Sequence, residues 1–154
     1  MRGLAAACLL WSTCASAQAS LIEDYARVTA LLNYMTAFVG ETLLACSAAK
    51  ALTEGQAEAR FAAYQQRNAA LSGRAERWSK EAERRLGERG EGREARLRSE
   101  DAGLTAIAAA SERAQADLRA ARDPASFCAA RVAAIQDGGF DASGNAELTK
   151  LLQR

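Results

Sequence analysis

The chain of 154 residues has no histidine and one proline, Pro124, and only 6% of it is aromatic. Without histidine, a Ser-His-Asp or Cys-His catalytic arrangement is impossible, and the commonest general base and metal ligand are gone. Few β-branched residues and a single proline leave alanine, leucine, arginine and glutamate to set the local preference, which is helix almost everywhere. Charge of one sign is also lacking. The 20 basic and 19 acidic residues leave a formal charge of +1, so there is no basic field for nucleic acid. No glycine-rich phosphate loop follows a strand, because there is no strand signal, and no internal repeat is evident.

What is present is ordinary globular material. Apolar residues make up 49% and charged residues 25%, in a length that fits one domain with a modest core.

The first twenty residues, "MRGLAAACLLWSTCASAQAS", have the three parts of a secretory signal. Arg2 gives a positive start, residues 3–11 a short apolar stretch, and Ala15-Ser16-Ala17 a small-x-small cleavage pattern, with Ala17-Gln18-Ala19 as a second site. The expected organisation is a cleaved signal over 1–17 and one helical-bundle domain over 18–154, placed in the periplasm or secreted. Lipidation at Cys14 is disfavoured because Trp11-Ser12-Thr13 lacks the aliphatic and small residues such a signal needs. Cleavage takes two of the four cysteines with it and leaves Cys46 and Cys128. An even pair in an oxidising compartment reads as one disulfide, and without a Cys-x-x-Cys motif it reads as structural rather than redox-active.

A first helix is expected over 21–52. Leu21, Tyr25, Val28, Leu32, Met35, Val39, Thr42, Cys46 and Ala49 recur in alternating steps of four and three, a heptad seam that includes Cys46. Asn33, Glu41 and Lys50 argue against reading this stretch as a membrane span. Thr53 and Gln56 have capping-box spacing and open a second helix, whose seam runs through Ala57, Phe61, Tyr64, Asn68, Leu71, Ala75, Trp78 and Ala82. Asn68 is expected to reach solvent from that seam. Residues 72–101 are dense in mixed charge, with Glu76/Lys80, Glu81/Arg85 and Glu94/Arg98 at favourable spacing, and read as a solvated helix surface. Gly87, Gly90 and Gly92 mark a charged hairpin tip near 87–92.

A third helix returns over 94–122 with a stripe of Leu97, Leu104, Ile107, Ser111, Ala114, Leu118 and Ala121. Asp123 then caps a fourth helix, with Pro124 at its first position and Gly138-Gly139 ending it. A last short helix is expected over 145–153. The fold class is therefore all-α: an antiparallel bundle of three long helices plus one or two short C-terminal helices. At 1.5 Å per residue the second helix rises about 50 Å and the third descends about 43 Å, which returns Pro124 to the level of Thr53. Cys46 lies two turns before that level and Cys128 one turn after Pro124, so helix lengths alone bring them to one end of the bundle. The bridge would be worth about 4 kcal/mol.

The segment Leu52-Thr53-Glu54-Gly55-Gln56 resembles the LTxxQ pattern of Spy/CpxP-like periplasmic proteins. That resemblance implies a small exported helical chaperone or stress-signal modulator. The family's motif occurs twice, whereas the second candidate here, "LTKLLQ" at 148–153, is one residue too long. Among the carboxylates, Glu23-Asp24, Glu41, Glu54 and Glu100-Asp101 have no pattern that makes them converge. No catalytic, cofactor or metal site is read from the sequence. The expectation is a non-enzymatic binding or structural module of the cell envelope, with a chaperone or an accessory subunit of an envelope enzyme or transporter as alternatives. The protein partner is unspecified, nucleic acid is not expected, no membrane segment is expected after cleavage, and the heptad seams permit a homodimer.

Overall fold

Three of the helix ends carry the same backbone device. After the first, second and fourth helices, a residue in the left-handed region turns the chain: Lys50 at φ 60°, Gly90 at φ 77° and Gly138 at φ 81°. In each case the next amide bonds back five residues, Ala51 to Cys46, Glu91 to Leu86 and Gly139 to Ala134, while the left-handed residue bonds back three. These are Schellman endings, which satisfy carbonyls the helix would otherwise leave open.

A computed structural model describes the backbone of residues 5–154 and the side chains of residues 21–154. The proposed cleavage sites and Cys14 therefore lie outside the residues whose side chains are described. The helices are α1 (Ala5–Ala48), α2 (Glu54–Glu88), α3 (Gly92–Ala120), α4 (Pro124–Gln136) and α5 (Ala146–Leu151), with a 3-10 turn at Ala142–Gly144. Among the described residues there are no strands, and the fold is all-α as expected. Thr53 and Gln56 make the reciprocal capping box at the start of α2. Asp123 caps α4 through Ala125, with Pro124 at the first turn. The first helix extends back to Ala5 instead of beginning near residue 21, since the alanine-rich leader is itself a good helix former. It ends at Ala48 instead of 52, because Lys50 turns the chain.

Helix α1 is the axis of the bundle. Helix α2 runs antiparallel to it, with Tyr25 bonded to Glu83 at one end and Gly40 against Phe61 at the other. Helix α3 runs parallel to α1 at a constant offset of 70 residues, seen in Thr29 with Ser99 and Glu41 with Ser111. The rest of the chain climbs back along α1 as a fourth side: Cys46 meets Cys128, Met35 meets Asn145, and Asp24 pairs with Arg154. A second ion pair, Arg27 with Glu147, fixes the same end.

Three apolar clusters follow α1 upward. Val39, Leu43, Ala57, Tyr64, Val132 and Ile135 fill the base, and Val28, Leu71, Ala75, Ala142, Leu148 and Leu151 fill the middle. Ile22, Tyr25, Ala82, Leu86 and Ala95 close the hairpin end. The stretch Leu21–Ala48 is long and apolar enough to cross a membrane by length and composition, more so than its polar residues suggested. Here Val28, Val39, Leu43 and Cys46 are fully covered by the other helices, and its polar Asp24, Arg27 and Glu41 find partners on α3 and the C-terminal segment.

The stripe expected on α3 is turned outward over its first half only. Further along, Ala114 is buried and Ser111, Leu118 and Ala121 are half-buried, as the stripe requires. In the first half Leu97, Leu104 and Ile107 are exposed, while Ala95, Ser99, Gly103 and Ala110 are buried. The reason is distance. Small residues let two backbones approach closely, and a Cβ added at Gly103 would sit 2.6 Å from the Asn33 amide nitrogen and 3.3 Å from Thr29 Cγ2. Leucine does not fit such a contact. Asn68 also departs from expectation: it is buried, because the turn at Ala142 needs its amide. In the charged region Glu76/Lys80 and Glu94/Arg98 pair as expected, but Arg84, not Arg85, takes Glu81 and also binds Glu88.

Candidate functional site

The parallel run of α1 and α3 leaves a space where α4 and the turn after it lean across both. On α1, Tyr34 and Phe38 are one helical turn apart, and their rings lie nearly parallel with centroids 6.0 Å apart. Phe140, from the turn after α4, tilts against Phe38 at 5.7 Å. On α3, Arg113 and Asp117 are likewise one turn apart and form an ion pair at 2.8 Å. Arg131 of α4 reaches the other oxygen of the same carboxylate at 3.0 Å. These groups, with Met35, Asn145 and the glycines at 138–139, line an open cleft of about 460 Å³.

Each charged group in the cleft is held. The guanidinium carbon of Arg131 sits 5.3 Å from the Phe127 ring centroid and 5.6 Å from that of Phe140, within cation–π range of both. Asp117 is mostly buried, with 14% of its side chain exposed, whereas Arg113 is 64% exposed. A second lining carboxylate, Asp141, is gripped from the far side by Arg67, through Nε and Nη2 at 3.1 Å each, and by the Asn68 amide at 3.3 Å. Arg67 also donates to the Ile135 carbonyl at the end of α4. The cleft therefore has an aromatic wall on α1 and a guanidinium wall on α3 and α4.

Cys46 and Cys128, singled out from sequence, lie at the base of the bundle. Their disulfide has Cα atoms 5.6 Å apart and both side chains are buried. The bridge ties α4 to the end of α1, and so sets where Arg131 stands, three residues on. The carboxylates named earlier do not gather: Asp24 pairs with Arg154, Glu41 accepts from Ser111, Glu54 opens α2, and Glu100 borders a shallow groove near Thr29 and Leu104. Among the described residues no group of three Cys, Asp or Glu is placed to hold a metal ion.

Sequence reasoning missed Arg113, Asp117 and Arg131, and the two spacings that carry part of the cleft were visible. Tyr34/Phe38 and Arg113/Asp117 are both i,i+4 pairs, the spacing that stacks side chains on one helix face. That the two pairs face one another depends on the α1–α3 offset, which no local pattern supplies. The Leu52–Gln56 motif is accounted for by its capping role. Comparison of the chain with protein-family models, with curated proteins and with solved structures finds no match.

Proposed function

We propose that this chain is an exported, non-enzymatic binding module of the cell envelope that acts through the cleft between α1, α3 and α4. The observation that carries this reading is the cleft itself. Three aromatic rings and two arginines anchored on one carboxylate line it together, on a bundle whose parts are tied together by a disulfide. Rigid aromatic surface with a few fixed polar groups is the usual make-up of a small-molecule site, and the volume falls in the range of such sites. Export is supported by the three-part leader and by the bridged cysteines.

The test is a fragment screen followed by nuclear magnetic resonance on the mature, disulfide-bonded protein. Ligands should shift the amides around Tyr34, Phe38, Asp117, Arg131 and Phe140 and leave those at the hairpin tip unmoved. A broad panel that shifts nothing around the cleft would overturn the reading. Export is tested by the intact mass of the protein recovered from a periplasmic fraction, which should begin at Gln18.

A chaperone activity is the second reading, supported by the outward leucines. Leu44, Leu97, Leu104 and Ile107 are large apolar residues left in solvent on α1 and α3. Suppression of client aggregation that disappears on replacing Leu104 and Ile107 with serine would favour it over the cleft.

A further inference from the structure

We infer that the cleft takes a small organic anion, with a carboxylate or phosphate head on the guanidinium wall and a flat apolar body on the aromatic wall. The inference rests on the cleft being a ligand site and names what it selects. The first argument is charge. Of the four charged residues in the lining, Asp141 is matched by Arg67 from outside the cleft, and Asp117 is shared between two arginines. One positive charge is left over, and it faces the open space.

The second argument is the kind of hydrogen-bonding group on offer. Both carboxylates in the lining are already engaged by guanidinium groups, so they are poor acceptors for a ligand. A guanidinium has five N–H donors. Arg131 donates one, to Asp117, and Arg113 engages the same carboxylate through Nε. The side-chain oxygen of Asn145 is taken by the Leu148 amide, and its N–H₂ donates one hydrogen to the Met35 sulfur, leaving the other to offer. Apart from the Tyr34 hydroxyl, which can donate or accept, the side chains of the cleft are rich in donors and short of free acceptors, which suits an acceptor-rich anion better than a neutral polyol.

The third argument is preorganisation. Phe127 and Phe140 flank the Arg131 guanidinium and Asp117 holds one of its nitrogens, so an incoming oxyanion finds a fork already oriented. In the same lining, Tyr34 and Phe38 supply apolar ring surface for the rest of the ligand to pack against.

The experiment is a titration of the mature, disulfide-bonded protein with phenylacetate, phenyl phosphate and the uncharged phenylacetamide, followed by amide shifts and calorimetry. At least one of the two anions should saturate the cleft amides, and which one binds better identifies the head group. Phenylacetamide should bind about tenfold more weakly, as expected for the loss of one charge-assisted hydrogen bond. Arg113→Gln, at an exposed position, should weaken the anion by a similar factor and shift the thermal transition only slightly, because Arg131 still pairs with Asp117. Arg131→Lys keeps the charge but loses the fork, and should weaken it as well. If phenylacetamide binds as tightly as the anions and Arg113→Gln has no effect, the anion inference is overturned and the binding cleft stands. If none of the three probes moves a cleft amide, the anion inference falls, and the fragment panel decides separately whether the cleft binds anything.

Discussion

The side-chain oxygen of Asn68, deep in the second helix, accepts the backbone N–H of Ala142 at 2.7 Å. The same side chain donates to the Tyr64 carbonyl at 2.8 Å and to Asp141 at 3.3 Å. One buried amide thus fixes the point where the chain leaves the cleft and begins its climb along α1. Asn68→Ala leaves the buried Ala142 amide without its partner, which costs about 1–3 kcal/mol. We expect a lower melting temperature, with the loss of hydrogen-exchange protection greatest over 141–152. A uniform loss across all helices would argue against a local role.

The contact of α1 with α3 depends on small side chains. Ala110 is fully buried and Leu104 is 69% exposed, the reverse of what their hydrophobicity suggests. Ala110→Leu should destabilise by about 1–3 kcal/mol through overpacking, whereas Leu104→Ala should stay within about 0.5 kcal/mol. Urea unfolding of the two variants separates the cases, and a larger loss at Leu104 would mean that α3 is rotated.

These two sites mark the boundary of what the sequence made legible. Signals contained within four residues were readable: the capping box at Thr53 and Gln56, Asp123 with Pro124, and the glycine ending at Gly138. The meeting of Cys46 with Cys128 followed from helix lengths, which add up along the chain. Which face of α3 is buried does not add up in that way. It is decided by the size of the opposing residues on α1, seventy positions earlier, and the large residues of α1 are already committed to α2 and the C-terminal segment. The burial of Asn68 and the assembly of the cleft have the same origin, since both need partners from the last quarter of the chain.

Lys50 holds a backbone angle that glycine adopts freely. Its φ of 60° is the one positive value at a non-glycine residue among the described residues, and its side chain is exposed. The left-handed conformation costs an L-residue about 1–2 kcal/mol. Lys50→Gly should therefore raise stability by up to about 1 kcal/mol, because the greater freedom of glycine in the unfolded chain offsets part of the gain. Thermal unfolding checks the sign, and a lower midpoint would count against the Schellman ending at this site.

The disulfide joins residues 82 apart in sequence. In the chain-entropy account a loop of that length contributes about 4 kcal/mol by restricting the unfolded chain. A Cys46→Ser, Cys128→Ser double variant should keep its helical circular dichroism in dilute buffer and unfold at markedly lower urea. Native mass spectrometry without reductant should show the wild-type protein lighter by two hydrogens. Free thiols at both positions would remove the staple.

Tyr25 gives the fold a dependence on alkaline pH. Burial is the main cause that pushes its phenol from an ordinary 10 up to about 12, and the hydrogen bond and negative charge of Glu83 add to it. Ser99 and Arg96 act in the opposite direction without reversing it. The folded state thus favours the protonated phenol. Its contribution is complete below the unfolded pKa of about 10 and is lost as pH rises through about 12. The phenol of Tyr64 is raised too, again mainly by burial, so part of the alkaline loss belongs to it. Stability measured by urea unfolding should fall between pH 10 and 12, and Tyr25→Phe should flatten that fall without abolishing it. In a tyrosinate absorbance titration of the folded protein, Tyr25 should be among the phenols that ionise late, and the variant should lose that late step. If the variant and the wild type decline in parallel over this range, the Tyr25–Glu83 pair does not set the alkaline limit.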